Sequence, residues 1–278
     1  MVVTIEYRMA LPFSLEEYSL GQRYMTARQT VEVMKSSSLK ESAVPMEEGT
    51  FSTLPDVVAK HGKIANRFNL CTHGYYIKKR LYLGSKLPSW IRKIAPESGL
   101  YVREEYWNAF PYTFCRYESE FTSRIGMTIE SMHFDNDRGM RSHVFGSPQP
   151  KHEVVTVDIA AQSVTKKGGG VYQGDPATHK FPLSPGWIET REPIMGSYKL
   201  SSMFFNIPFF PMAERAERAI LDISVKDLAI HAHRNLYCWQ DDWMWMNANQ
   251  VRAFESHVLE KTAANDIASI CIPLFSRR

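Results

Sequence analysis

Four short clusters carry side chains able to do chemistry. Asp241-Asp242, set among Trp239, Trp243 and Trp245, could work as a paired general acid and base, although helix-end caps explain them more simply. His231-Ala232-His233 puts two imidazoles on one face of a strand but on different faces of a helix. The region reads as helix, which favours a structural or exposed role over a metal role. Asp135-Asn136-Asp137-Arg138-Gly139 opens like a calcium loop, but its glycine is one position early and Gly146 stands where a bidentate glutamate is needed. A turn between strands is the better reading. Gly168-Gly169-Gly170 with Gly174 misses the dinucleotide spacing by one residue and reads as a loop. Cys71, Cys115, Cys238 and Cys271 lie far apart with no CxxC pair, so they read as free thiols and not as zinc ligands. No P-loop, HExxH or GxSxG is present. These clusters supply no catalytic constellation.

The composition is that of an ordinary globular chain rich in aromatic residues. The chain has 278 residues, 33 basic against 30 acidic, too balanced to argue for nucleic acid. The longest apolar candidate, Met203 to Met212, contains Asn206 and is interrupted by Pro208 and Pro211, far from the ~18 apolar residues of a membrane span. Glu6 and Arg8 fall where a secretory signal would be apolar, so none is expected. The 15 Phe, 13 Tyr and 6 Trp call for a large apolar interior or an apolar ligand.

The elements that must position these residues follow from periodicity. Val3, Ile5, Tyr7 and Met9 alternate with polar residues and predict a strand. Ser14 and Glu17 form a capping-box pattern that opens a helix anchored by Leu15, Tyr18 and Tyr24. Residues 35–70 read as a loop-rich insertion. Strands are predicted over Tyr75–Leu83, Leu100–Trp107, Thr113–Thr122, Gly126–His133, Val154–Ala160 and Gly196–Phe205, with a surface loop over 162–190. Two helices follow: one from Met212 through Ala216 to Ile223, and one carrying Val251, Phe254 and Val258 behind an Asn247…Gln250 cap. Grouped strands and segregated helices predict α+β with an antiparallel sheet. Between them, prolines hold Phe209-Phe210 in a turn; the rings either tuck into the core or dip into a bilayer interface.

Several blocks then stand out together: Glu6-Tyr7-Arg8, Leu11-Pro12, Glu17-Tyr18, Gly21-Gln22, Ser85-Lys86-Leu87-Pro88, Ala95-Pro96-Glu97, Trp107-Asn108-Ala109-Phe110-Pro111-Tyr112, Val157-Asp158-Ile159-Ala160, Tyr198-Lys199-Leu200 and His233 to Trp239. In this order they resemble the phosphatidylinositol transfer protein family over most of residues 1–260; 35–70 and 135–152 match poorly. The resemblance implies a START-like, helix-grip fold: a curved antiparallel sheet and long helices enclosing one lipid in a hydrophobic cavity. It implies one phospholipid-transfer domain over 1–278, with 256–278 as a C-terminal gate. The implied activity is non-covalent exchange of phosphatidylinositol or phosphatidylcholine between membranes, with no cofactor and no metal. The implied partners are phospholipid and a transient membrane surface, not nucleic acid, for a cytoplasmic monomer peripheral at membranes.

By the same resemblance, Gln22, Cys115, Ser131 and Lys199 fall at phosphate contacts, Ile77, Lys79, Asn108 and Glu255 at head-group contacts, and Phe209 and Phe210 at the membrane-docking pair. Cys115, Ser131 and Ile77 stand where the family has threonines. Ile77 removes a hydroxyl beside the head group, a loss of about 1–3 kcal/mol for inositol and little for choline. A gapped realignment through Thr72-His73 would restore a threonine. Acyl burial contributes about 0.8 kcal/mol per CH₂, which a bilayer nearly matches, so lipid-for-lipid exchange is the expected mechanism. An alternative is a lipid-binding sensor or adaptor that presents its lipid to a partner without bulk transfer. A third is a lipid-metabolising enzyme using Asp241, Asp242 or a histidine.

Overall fold

In a computed structural model, residues 2–36, 44–64, 72–82, 92–93, 96–146, 152–161, 164–165, 171–172, 183–184, 186–207 and 212–264 are described. Strong alternation builds β1 (Val2–Leu11), with Val3, Ile5, Tyr7, Met9 and Leu11 all buried. Ser14 then caps α1 (Leu15–Ser36) as its sequence predicts. Glu17 N donates to Ser14 Oγ at 3.1 Å, and Ser14 N donates to Glu17 Oε2 at 2.7 Å. Leu15 N donates to Asp135 Oδ1 at 2.9 Å, tying the start of α1 to the sheet.

The remaining elements are β2 (Val44–Phe51), α2 (Asp56–His61), β3 (Gly74–Tyr82), a 3₁₀ turn (Glu97–Leu100), β4 (Tyr101–Ala109), β5 (Tyr112–Ser119), β6 (Ile125–Asp135), β7 (Glu153–Val157), the two-residue β8 (Val164–Thr165) and β9 (Val171–Tyr172), α3 (Trp187–Thr190), β10 (Met195–Phe205), α4 (Ala213–Leu221), a π-helical segment (Asp222–Asp227), α5 (Leu228–Cys238), α6 (Gln240–Trp243) and α7 (Ala248–Ala263). Eight strands form one curved, unclosed sheet in the order β2-β3-β4-β5-β6-β10-β1-β7. This is the α+β arrangement that the strand grouping predicts.

Three expectations need correction. First, β7 pairs with β1 in parallel, so the sheet is not wholly antiparallel. Second, residues 35–70 contain β2 and α2. Pro45 misled the reading: it sits in a strand because β2 is an edge strand with a register shift between Pro45 and Glu47. Third, the last third holds more than two helices. A π-helical segment joins α4 to α5, and α6 lies between α5 and α7. The Asn247 capping box at α7 is present as predicted.

Two cores lie on opposite sides of the sheet. One packs β1 and β10 against the helices through Tyr24, Ile230, Leu236, Trp243 and Val251. The other covers the far face with Val58, Ile64, Val144 and Phe145 over Trp107, Tyr112, Phe114, Tyr198 and Leu200. Gly21 lets α1 approach Trp243, because a Cβ there would lie 2.9 Å from the indole ring. Among the described residues no helix is long and apolar enough to cross a membrane.

Candidate functional site

Register pairing places the candidate residues of the sheet on one face. Lys199 opposes Ser131, Ser131 opposes Thr113, Thr113 opposes Asn108 and Asn108 opposes Tyr75. Opposed residues project to the same side, so these five form one row across β10, β6, β5, β4 and β3. The next row runs Ser201, Ile129, Cys115, Tyr106 and Ile77, and the third runs Met203, Met127, Tyr117, Glu104 and Lys79. This is the helix-bearing face, because Met203, Met127 and Ile129 pack with the helical core. Tyr106, Tyr117, Ile129 and Lys199 remain only half-buried there, so the helix layer leaves uncovered surface over mid-sheet strands.

The rows separate two groups. Lys199 and Ser131 sit on β10 and β6, with Lys199 Nζ 3.3 Å from Ser131 Oγ. Asn108, Ile77 and Lys79 sit on β4 and β3. Three strand spacings, about 14 Å along a flat sheet, separate Lys199 from Asn108. Cys115 lies between them, one row over, and its thiol donates to Glu104 Oε1 at 3.6 Å. Burial pushes that thiol's pKa up, so it remains a weak neutral donor already engaged within the protein. Gln22 is buried on α1, one helical turn beyond Tyr18.

Burial lowers the Lys199 amine to about 8. Among the described residues no carboxylate lies within ion-pair distance of it. Ser197 and Ser201 flank it on the same face of β10, and both hydroxyls are buried without a hydrogen-bond partner. His133, opposite Ser197, also keeps a buried unpartnered Nδ1. The imidazoles nearby are neutral: burial, helped by the Lys199 charge, holds His133 well below its ordinary range and His233 down to about 3. His233 Nδ1 donates to Ala229 O at 2.6 Å, so its Nε2 accepts from the Tyr18 hydroxyl at 2.9 Å. His233 therefore holds α1 to α5. Unpartnered hydroxyls around a desolvated ammonium, with no acid in reach, make an anion-binding geometry.

Ile77, Lys79 and Glu255 meet in a cleft of about 390 Å³ between α1, α7 and the β2–β3 edge. Gly74 permits this edge: a Cβ there would lie 2.1 Å from Asn108 O. Glu255 is not free, because Arg23 holds both of its carboxylate oxygens. Asp242 is likewise paired, with Arg28 on α1. Phe209, Phe210 and residues 265–278 of the expected gate lie outside the described residues, whereas 256–263 form the end of α7 and Ala264 caps it. Sequence reasoning missed Thr113, Ser197, Ser201 and Arg23. The i, i+2, i+4 spacing of Ser197, Lys199 and Ser201 could have found the serines. Nothing in the sequence announced that Arg23 meets Glu255.

The family model described as phosphatidylinositol transfer protein matches residues 2–260. Cytoplasmic phosphatidylinositol transfer protein 1 of Xenopus tropicalis is 32% identical over 265 residues, covering 92% of this chain and 73% of its own length. Phosphatidylinositol transfer protein 4 of Dictyostelium discoideum is 32% identical over 273 residues, covering 94% of this chain and 76% of its own. Membrane-associated phosphatidylinositol transfer protein 1 of Mus musculus is 30% identical over 272 residues, which are 93% of this chain but 20% of that protein.

Proposed function

Because this chain belongs to the phosphatidylinositol transfer protein family, we propose that it encloses one phospholipid and exchanges it between membranes without covalent chemistry. The observation that carries this reading is the partly desolvated Lys199 ammonium, with Ser131 beside it, unpartnered Ser197 and Ser201 hydroxyls flanking it, and no acid within ion-pair distance among the described residues. A phosphodiester brings one negative charge and several acceptor oxygens, which answers both needs at once. Lys199 supplies the countercharge, with Ser131 and Gln22 as neutral donors. The uncovered surface beside Ile129, Tyr106 and Tyr117 is where acyl chains would replace water. The head group would lie toward Asn108, Ile77 and Lys79. With Ile77 there, phosphatidylcholine is the favoured cargo over phosphatidylinositol.

Exchange follows from the energetics. Two acyl chains are stabilised in the protein about as well as in a bilayer, so the net free energy of exchange is small. The protein works as a monomer at cytoplasmic membrane surfaces, needs no metal or cofactor, and uses Phe209 and Phe210 to dock. The experiment is lipid analysis of the purified chain, followed by vesicle-to-vesicle transfer of labelled phosphatidylcholine and phosphatidylinositol. One phospholipid per chain and catalysed transfer are expected. Binding with no faster transfer would favour the adaptor reading, and conversion of the lipid would favour an enzyme.

A further inference from the structure

Most polar groups around Ile77 are engaged with one another. Arg23 reaches from α1 to Glu255 on α7, with Nε donating to Oε1 at 3.1 Å and Nη2 donating to Oε2. Both side chains are largely buried, 17% and 18% exposed. The same guanidinium lies 5.2 Å from the Tyr75 ring centroid. Asn108 Nδ2 donates to Tyr75 Oη at 2.9 Å and to Tyr106 Oη at 3.0 Å, which occupies both of its N–H groups. Glu104 accepts from Tyr117 Oη at 2.7 Å and from the Cys115 thiol. Lys79 lies opposite Glu104 and, among the described residues, its side chain makes no hydrogen bond or ion pair.

A polyhydroxyl head group leaves water only if the site returns its hydrogen bonds, and each one unmade weakens binding. Choline has no hydroxyl to satisfy and tolerates an aromatic face such as that of Tyr75. We propose that Arg23 is a specificity-determining residue: by holding Glu255 it withdraws the cleft's carboxylate from the lipid and turns the site from an inositol to a choline head group. This rests on the transfer reading above. Arg23 does not contact the phosphate group of residues around Lys199. It acts through the acid that it occupies and through the tie it makes between α1 and α7.

The test loads the full chain from vesicles holding equal phosphatidylcholine and phosphatidylinositol, then measures the bound ratio by mass spectrometry. Wild type is expected to favour phosphatidylcholine. Arg23→Leu frees Glu255 and raises the phosphatidylinositol share about tenfold, the value of one charge-assisted hydrogen bond. Arg23→Gln, which keeps the side chain's bulk and polarity, raises it in the same direction. Arg23→Lys keeps the countercharge and raises it about threefold or less. Adding Glu255→Gln to Arg23→Leu cancels the gain, which general loosening of the cleft would not do. The inference is overturned if Arg23→Leu and Arg23→Gln remain loaded with an unchanged ratio, if the gain survives Glu255→Gln, or if wild type already prefers phosphatidylinositol. A wild type that carries no phospholipid overturns the transfer reading and this inference with it.

Discussion

The two faces of the sheet are made by the same strands and finished in opposite ways. On the far face Glu130 is buried, and burial pushes its pKa up, yet its carboxylate accepts from Lys63 N, Ile64 N and Tyr112 Oη. Around it Phe114, Leu200 and Tyr112 are almost wholly closed off. On the helix-bearing face, Lys199 is one residue along β10 from Leu200 and one across the register from Glu130's neighbour Ser131. Among the described residues its amine has one hydrogen bond, to Ser131 at 3.3 Å, and buried, unpartnered serine hydroxyls lie to either side. A buried polar group with its partners satisfied helps hold the fold, whereas one without them keeps hydrogen-bonding capacity that the fold does not use. The difference lies in hydrogen-bond satisfaction more than in polarity: Glu130 has its partners, and the serines beside Lys199 do not.

Substitutions on the two faces should have separable effects. Phe114→Ala on the closed face is expected to lower unfolding free energy by about 3–5 kcal/mol in urea titration while leaving the bound lipid ratio unchanged. A shifted ratio would mean that the two faces are not independent. Lys199→Met on the open face should do the reverse. Transfer falls roughly 10- to 100-fold, for a lost charge-assisted contact of about 1.5–3 kcal/mol. The stability of the emptied protein stays level or rises, because an uncompensated buried charge is gone.

The third prediction concerns pH. The folded, empty protein holds Lys199 at about 8, below its ordinary 10.5, so between those values it binds fewer protons than the unfolded chain. Its stability therefore rises with pH through that window, and the penalty is fully present below about 8. Capture of phospholipid runs the other way, weakening by up to about tenfold per pH unit above 8 as the countercharge is lost. Lys199→Met should flatten that profile. The smallest expected effect is Ile77→Thr, which returns one hydroxyl beside the head group. It should raise the phosphatidylinositol share about fivefold, near 1 kcal/mol, in the loading assay, and leave thermal stability little changed.

Much of this architecture was legible along the chain. Strand alternation marked seven of the strands in the large sheet, and both capping boxes marked helix starts, because these signals are local and each residue's neighbours in sequence decide them. Pro45 hid β2, since an edge strand tolerates what a central strand forbids. The parallel pairing of β7 was invisible, because nothing in Glu153–Val157 states which strand or direction it will meet. The family resemblance made Lys199, Ser131, Asn108, Ile77 and Lys79 candidates, and strand register puts all five on one face. Cys115 drew attention from Thr113, which occupies the row that Lys199 and Asn108 share.

Local sequence sufficed for most strands, for the helix caps and for the family resemblance, and it puts an isoleucine at position 77 where the family has a threonine. Only the tertiary structure decided who was already occupied. Arg23 and Glu255 are 232 positions apart, yet their pairing removes a carboxylate that the sequence alone assigned to the head group. Lys199 gains its depressed pKa only when folding packs the chain around its amine. Burial and long-range partnership are properties of packing, and packing depends on every element at once.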